Sequence, residues 1–317
     1  MRDTTPARGW LLWAPLATIY IVWGSTYPAI RVMVETMPPL LAAGVRFGAA
    51  GAIFWVVLRA TGHAVRVRAT RPQLAGAALI GTLLCFGGNG LVTVAEQDVE
   101  AGLAALIIGS VPLWVVLMRT LHGDHPPRAT LAGVAVGFAA LAALVLPGDR
   151  PGGAPLWGVL VIVCAAMLWA TGSFYSRRVP LPPDVLGSTA WQMLFGGGGM
   201  VVVGLVAGEA GDVHAGEFST KSILALAYLI VIGSVLAYSA YAWLLKHAPI
   251  SKVATYAFVN PIVAIFLGWA FLDEEVTPTM AIAAAAIVLS VATVVRRESA
   301  PPEPEPEPVR ERERAVA

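Results

Sequence analysis

Residues 222–245 read SILALAYLIVIGSVLAYSAYAWLL, an uninterrupted run without a charge, closed off by Lys221 before it and Lys246 after it. At 1.5 Å of rise per residue a helix of this length reaches ~36 Å, more than the ~30 Å of hydrocarbon in a bilayer. A soluble domain rarely needs so long an apolar segment, whereas a membrane crossing requires one. Nine further runs of this kind occupy about 10–33, 39–58, 72–95, 100–118, 129–147, 155–176, 185–207, 249–272 and 278–295, separated by short connections rich in Pro, Gly and charge. Over all 317 residues 57% are hydrophobic and 13% charged, against about 45–50% and 25% in soluble domains. The mean hydropathy of +0.73 agrees. The first run is too long for a cleavable signal, and its Trp10, Trp23 and Tyr27 do not resemble a small-residue cleavage site.

Sorting the charges of the connections gives an orientation, because Lys and Arg concentrate on the cytoplasmic side. Alternate connections hold fourteen basic residues on one side, from Arg2 and Arg8 through Arg59, Arg119 and Arg177 to Arg296 and Arg297. The other side holds only Arg150 and Lys221, and collects Glu96, Asp98, Glu100, Glu209, Asp212, Glu217, Asp273, Glu274 and Glu275. The split implies a multi-pass inner or plasma membrane protein with both termini cytoplasmic. The expected fold is therefore an all-α membrane protein with ten transmembrane helices. Residues 298–317, with Glu-Pro repeats followed by alternating Arg and Glu, have no apolar face to bury and read as a disordered cytoplasmic tail.

The ten runs divide into two sets of five, 1–148 and 149–297, which begin on opposite sides of the membrane. An offset of 146 carries Trp23 onto Trp169, Arg31 onto Arg177 and Arg46 onto Gln192. Each half has a proline in its fourth run, Pro112 or Pro261, followed by an acidic turn at Asp124 or at Asp273-Glu274. Two inverted five-helix repeats are a transporter device, because exchanging the conformations of similar halves exposes one central site to each side in turn.

Trp23-Gly24-Ser25-Thr26-Tyr27, Pro39 with Arg46-Phe47, Tyr256-Ala257-Phe258-Val259-Asn260-Pro261 and Glu274-Glu275-Val276-Thr277 resemble the EamA-type repeats of the drug/metabolite transporter superfamily. The resemblance spans residues 10–297. Two turns depart from the pattern: Gly123-Asp124-His125-Pro126 stands where the family has Gly-Glu, and Asp273 replaces a Gly. The resemblance implies a ten-helix inner-membrane carrier, commonly an exporter of amino acids or other small metabolites.

Polar groups at membrane depth must face protein or a water-filled cavity. The only two asparagines, Asn89 and Asn260, both fall within runs and serve either a substrate or an interhelical hydrogen bond. Trp23 and Tyr27, Trp114 with Ser110, Trp169 with Ser173, and Tyr238 with Ser234 and Tyr241 recur at helical spacing, as packing stripes or cavity walls; Tyr256 lies in the family-like segment beside Asn260. Arg31 is within a turn of a helix end and can snorkel. Arg46 lies two turns deep, where helix-end carbonyls or an anionic substrate must satisfy it. The candidate substrate-binding set is thus Trp23, Tyr27, Arg46, Asn89, Trp114, Trp169, Ser173, Tyr238, Tyr256 and Asn260.

No Asp or Glu is expected at mid-membrane and all five His fall in connections, which favours a facilitator or exchanger over a carboxylate proton antiporter. Gly216 to Ser222 has Thr220 where a P-loop needs Gly, so ATP-driven transport is disfavoured. Neither a His-Glu-x-x-His nor a Gly-x-Ser-x-Gly occurs, and no catalytic residue, cofactor or metal site is expected. Cys85 and Cys164 read as core residues. The implied partners are a small-molecule substrate and the lipid bilayer, not nucleic acid; the oligomeric state, a homodimer included, stays open. The competing function is a membrane scaffold or signalling protein acting through the tail.

Overall fold

The structure is a computed structural model that describes residues 9–145, 150–214, 216–248 and 250–298. The tail expectation therefore lies outside the described residues, apart from Glu298. Among the described residues the chain is helical without strands. The main helices are α1 (Trp13–Met33), α2 (Pro39–Ala60), α3 (Arg71–Ala95), α4 (Ala101–Leu121), α5 (Arg128–Val145), α6 (Leu156–Tyr175), α7 (Val185–Val206), α8 (Thr220–His247), α9 (Tyr256–Phe271) and α10 (Pro278–Glu298).

Eight of these, α2 to α8 and α10, are long and apolar enough to cross a membrane. The apolar α9 has only 16 residues, and α1, with 21, carries Arg31 in its last turn. Length and composition alone thus give fewer crossings than the ten expected. The ninth run falls short because Ile250–Val253 forms a separate helical turn before Tyr256.

Helix starts follow local chemistry. Thr70 and Gln73 form a capping box at α3, Asp184 accepts from the Gly187 amide (2.9 Å) at α7, and Ser219 accepts from the Ser222 amide (3.0 Å) at α8. Each satisfies amides that the first turn leaves without helical partners. Asp184 also takes a 2.8 Å ion pair from Arg66; against the burial that would raise it, the Arg66 and Gly187 bonds hold its carboxyl below the usual range.

The helices meet through small residues, as expected where lipid supplies no hydrophobic drive for association. A Cβ on Gly44 would lie 3.0 Å from the Gly197 carbonyl, and one on Gly197 would lie 2.6 Å from the Gly48 amide nitrogen, so α2 and α7 touch backbone to backbone. Gly196 packs equally closely on α3, with a notional Cβ 2.6 Å from the Gly81 carbonyl, while Gly198 meets open space. The glycine run thus seats α7 between two neighbours. Leu224, Ile282 and Leu289 are 64%, 71% and 67% exposed and form part of an apolar outer surface suited to lipid. Cys85 is buried as expected, but Cys164 is exposed, because its side of α6 meets no neighbouring helix.

Both α3 and α8 widen to π-helix, over Thr82–Gly90 and Leu229–Leu236. Leu83 and Gly90 correspond to Leu229 and Leu236 at the 146-residue offset, so the same irregularity recurs in both halves. Such wide turns are uncommon and concentrate at functional sites.

Candidate functional site

A cavity of about 120 Å³ lies among α1, α2, α3, α4, α6, α8 and α9, so both halves supply its walls. The two π segments shape it. In α3, Gly88 lets the Trp169 ring approach, since a Cβ there would sit 2.4 Å from Trp169 Cε3. Asn89 follows, with Nδ2 donating to the Leu84 carbonyl (3.3 Å), which satisfies an acceptor within the wide turn. In α8, Ser234 Oγ accepts from Arg46 Nε (3.2 Å), and neighbouring Gly233 leaves the guanidinium room.

Of the residues singled out from sequence, Trp23, Tyr27, Arg46, Asn89, Trp169, Tyr238, Tyr256 and Asn260 line this cavity. Ser173 lies instead in an adjoining vestibule of about 870 Å³, edged by Arg119, Arg177 and Arg178. Cavity and vestibule share Val111, Pro112, Trp169, Tyr256 and Ala257, which makes these residues the passage between them. Trp114 lines neither. It packs on Phe138 (4.6 Å between ring centroids) and donates to Ser110 Oγ (3.2 Å). The sequence reading missed Thr26, Ile30, Gly109 and Pro261 as lining residues, and small or apolar side chains carry no signal that separates a wall from a core.

The aromatic wall is built around Trp23, whose ring lies 5.3 Å from Tyr238, 5.3 Å from Tyr241 and 5.0 Å from Tyr256. Asn260 is oriented by its neighbours so that its amide nitrogen donates to the carbonyls of Tyr256 and Tyr20, 3.2 Å each. Both amide hydrogens are then used, and the oxygen remains as an acceptor. Arg46 is 3% exposed. Its guanidinium carbon lies 4.7 Å from the Phe47 ring centroid, and Nη1 is buried without a hydrogen-bond partner. Among the described residues no helix-end carbonyl receives Nη1; Ser234 takes Nε, and the buried Glu96 carboxyl interacts with the guanidinium from a distance. A charge at this depth is costly, which makes the unpartnered Nη1 a donor in want of an acceptor.

The end of the bundle opposite the vestibule is closed by polar contacts. Arg31 Nη1 donates to the carbonyls of Glu96 and Gln97, so it satisfies the end of α3 instead of reaching for water. Glu274 accepts from the Ala101 and Gly102 amides (2.7 and 2.9 Å) and fixes the start of α4, while Glu209 accepts from the Leu40 and Leu41 amides (3.1 and 2.8 Å) at the start of α2. Asp273, the residue in place of the family Gly, has φ +54°. Glu96, expected in a solvated connection, is instead fully buried, with neither carboxylate oxygen hydrogen-bonded. Burial, followed by the neighbouring Glu274 carboxylate, raises Glu96 well above the ordinary carboxylate range. The same two causes raise Glu100, whose Oε2 is also buried and unpaired.

Two halves with matching irregular helices, enclosing one largely apolar cavity set with a few polar groups and communicating with one end of the bundle, define the class as a two-repeat helical membrane carrier. The EamA-like transporter family model matches residues 8–146 and 156–296, and the chain belongs to that family. The chain is 37% identical over 284 residues to "Uncharacterized inner membrane transporter YedA" of Escherichia coli, covering 89% of this chain and 90% of that protein. A second Escherichia coli relative, "Probable amino-acid metabolite efflux pump", is 26% identical over 269 residues, with 82% and 86% covered. A crystal structure of another protein matches with TM-score 0.62 at 21% identity, over 90% of this chain and 97% of that one, which extends the likeness to the fold. The protein is thus a multi-pass inner membrane transporter and not an enzyme.

Proposed function

We propose that the protein is an alternating-access exporter of small zwitterionic or amphipathic metabolites of the amino-acid kind. In this reading ten helices cross the membrane as two inverted five-helix repeats, both termini are cytoplasmic, and the vestibule edged by Arg119, Arg177 and Arg178 faces the cytoplasm. The observation that carries the reading is the buried, unpartnered Nη1 of Arg46 in a cavity walled by both halves. A substrate carboxylate fits that donor, an ammonium fits the Asn260 oxygen, and the rings of Trp23, Trp169, Tyr238 and Tyr256 suit an apolar side chain or a cation over a π face. The name of the amino-acid efflux relative points to the same substrate class.

In this mechanism substrate enters from the vestibule, passes between Trp169 and Tyr256, and neutralises Arg46. The opposite end stays shut until the contacts of Arg31 and Glu274 are released. Counterflow of a panel of labelled amino acids into proteoliposomes tests the reading. At least one should exchange, and Arg46→Gln should lower its uptake about tenfold or more, from the loss of a charge-assisted hydrogen bond of ~1.5–3 kcal/mol. If no amino acid exchanges, the substrate class is wrong; if exchange is unchanged in Arg46→Gln, the site is wrong.

A further inference from the structure

The geometry points to Glu96 as a proton-binding site of the gate opposite the vestibule: its carboxylate takes up one proton when that end closes and releases it when that end opens. The inference rests on the alternating-access reading above. Glu96 stands at the joint between the end of α3 and the connection to α4, 0% exposed, with both oxygens buried and unbonded. Neither nearby cation contacts its oxygens: Arg31 Nη1 donates to the backbone carbonyls of Glu96 and Gln97 and Arg46 Nε to Ser234, so both favour the ionised form only from a distance, and burial together with the Glu274 carboxylate outweighs them. A buried carboxylate without hydrogen-bond donors is far more costly than a neutral carboxyl group, so the closed end favours the protonated form. Opening that end separates the start of α4 from Glu274 and admits water to the joint, where an ordinary carboxylate ionises.

The charged and titratable groups around Glu96 come from every neighbouring element: Tyr27 and Arg31 from α1, Arg46 from α2, Glu274 from the turn before α10, and Glu100 from its own connection. Glu274 has both oxygens bonded to the Ala101 and Gly102 amides, and Glu100 is half-buried, so Glu96 is the carboxylate with neither water nor a donor. The sign follows from linkage. The closed form binds the proton more tightly, so lowering the pH favours closure, by up to tenfold per pH unit between the carboxylate's open-state value, about 4.3 for an ordinary Glu, and its raised closed-state value. The sequence placed Glu96 in a connection and disfavoured a mid-membrane carboxylate antiporter; the site proposed here lies at a helix end, beside the gate.

Two measurements on the full-length protein in nanodiscs test the proposal, and neither needs a substrate. Infrared difference spectroscopy at pH 7 should show the carbonyl stretch of a protonated, non-hydrogen-bonded carboxyl in the wild type and not in Glu96→Gln. Hydrogen exchange of the segment holding the Ala101 and Gly102 amides, corrected for the intrinsic rate, should show protection rising as pH falls, up to about tenfold per unit. Glu96→Gln should hold that protection high and flat, and Glu100→Gln should keep the wild-type dependence. A wild type without the carboxyl band, or with pH-independent protection, overturns the proposal even if Glu96→Gln fails to fold; so does a pH dependence that survives in Glu96→Gln. Failure of the amino-acid panel alongside an intact band and pH dependence would instead refute the substrate reading alone.

Discussion

Replacing Glu274 by Ala removes the carboxylate that holds the first two amides of α4. The bonds are 2.7 and 2.9 Å long, the side chain is 9% exposed and Ala101 is 0% exposed, so water replaces little of what is lost. Hydrogen bonds to a charged group contribute about 1.5–3 kcal/mol each. Taking the lower value for both gives about 3 kcal/mol, and in the proposed cycle these bonds exist only while that end is closed. At 1.4 kcal/mol per factor of ten, the closed-to-open ratio should fall by about a hundredfold. Hydrogen exchange at the Ala101 and Gly102 amides reads this directly: protection should fall by about that factor in Glu274→Ala. Glu274→Gln, which keeps one good acceptor, should lose about tenfold. Glu209→Ala is the control, because it frees the Leu40 and Leu41 amides at α2 and should leave the α4 amides unchanged. Unaltered protection in Glu274→Ala would refute the idea that this carboxylate latches the end opposite the vestibule.

Two further substitutions probe the turn and the cavity. Asp273→Gly relieves a side chain at φ +54°, and should stabilise the protein by about 0.5–1 kcal/mol, read as a higher melting temperature in detergent; a lower one would show that the Asp273 side chain holds the turn. Gly88→Ala drives a Cβ to 2.4 Å from Trp169 and should impair exchange of whichever amino acid the panel identifies, whereas Gly198→Ala, which meets open space, should not; equal activity of the two would separate the Trp169 seat from transport.

Which parts were legible in the sequence follows from which signals are local. Charge-free runs mark helices because each residue must avoid water on its own account, and α2 to α8 lie within a few residues of those runs. The exception is informative: residues 249–272 form one apolar run, yet the helix restarts at Tyr256 after a separate turn at Ile250–Val253. Hydropathy does not register that break. Polar or aromatic side chains in an apolar helix were also legible as site candidates, and eight of them line one cavity. Trp114 belongs to the same pattern but rests on Phe138, because spacing along a helix identifies a shared face without saying what that face meets.

Composition and charge order were enough to put this chain in a membrane, to divide it into two related halves, and to find Arg31 and Arg46 inside otherwise apolar runs. These follow from solvation and composition, which act residue by residue. How each charge is satisfied emerges from the packing of the helices. Arg31 Nη1 donates to the end of α3 while Arg46 Nη1 stays unpartnered in the cavity, and Glu274 is bonded twice while Glu96 is bonded by neither oxygen. Partners of a charge come from helices far apart in sequence, so the difference between a structural arginine and an available one, or a latch and a proton site, exists only once the helices are packed.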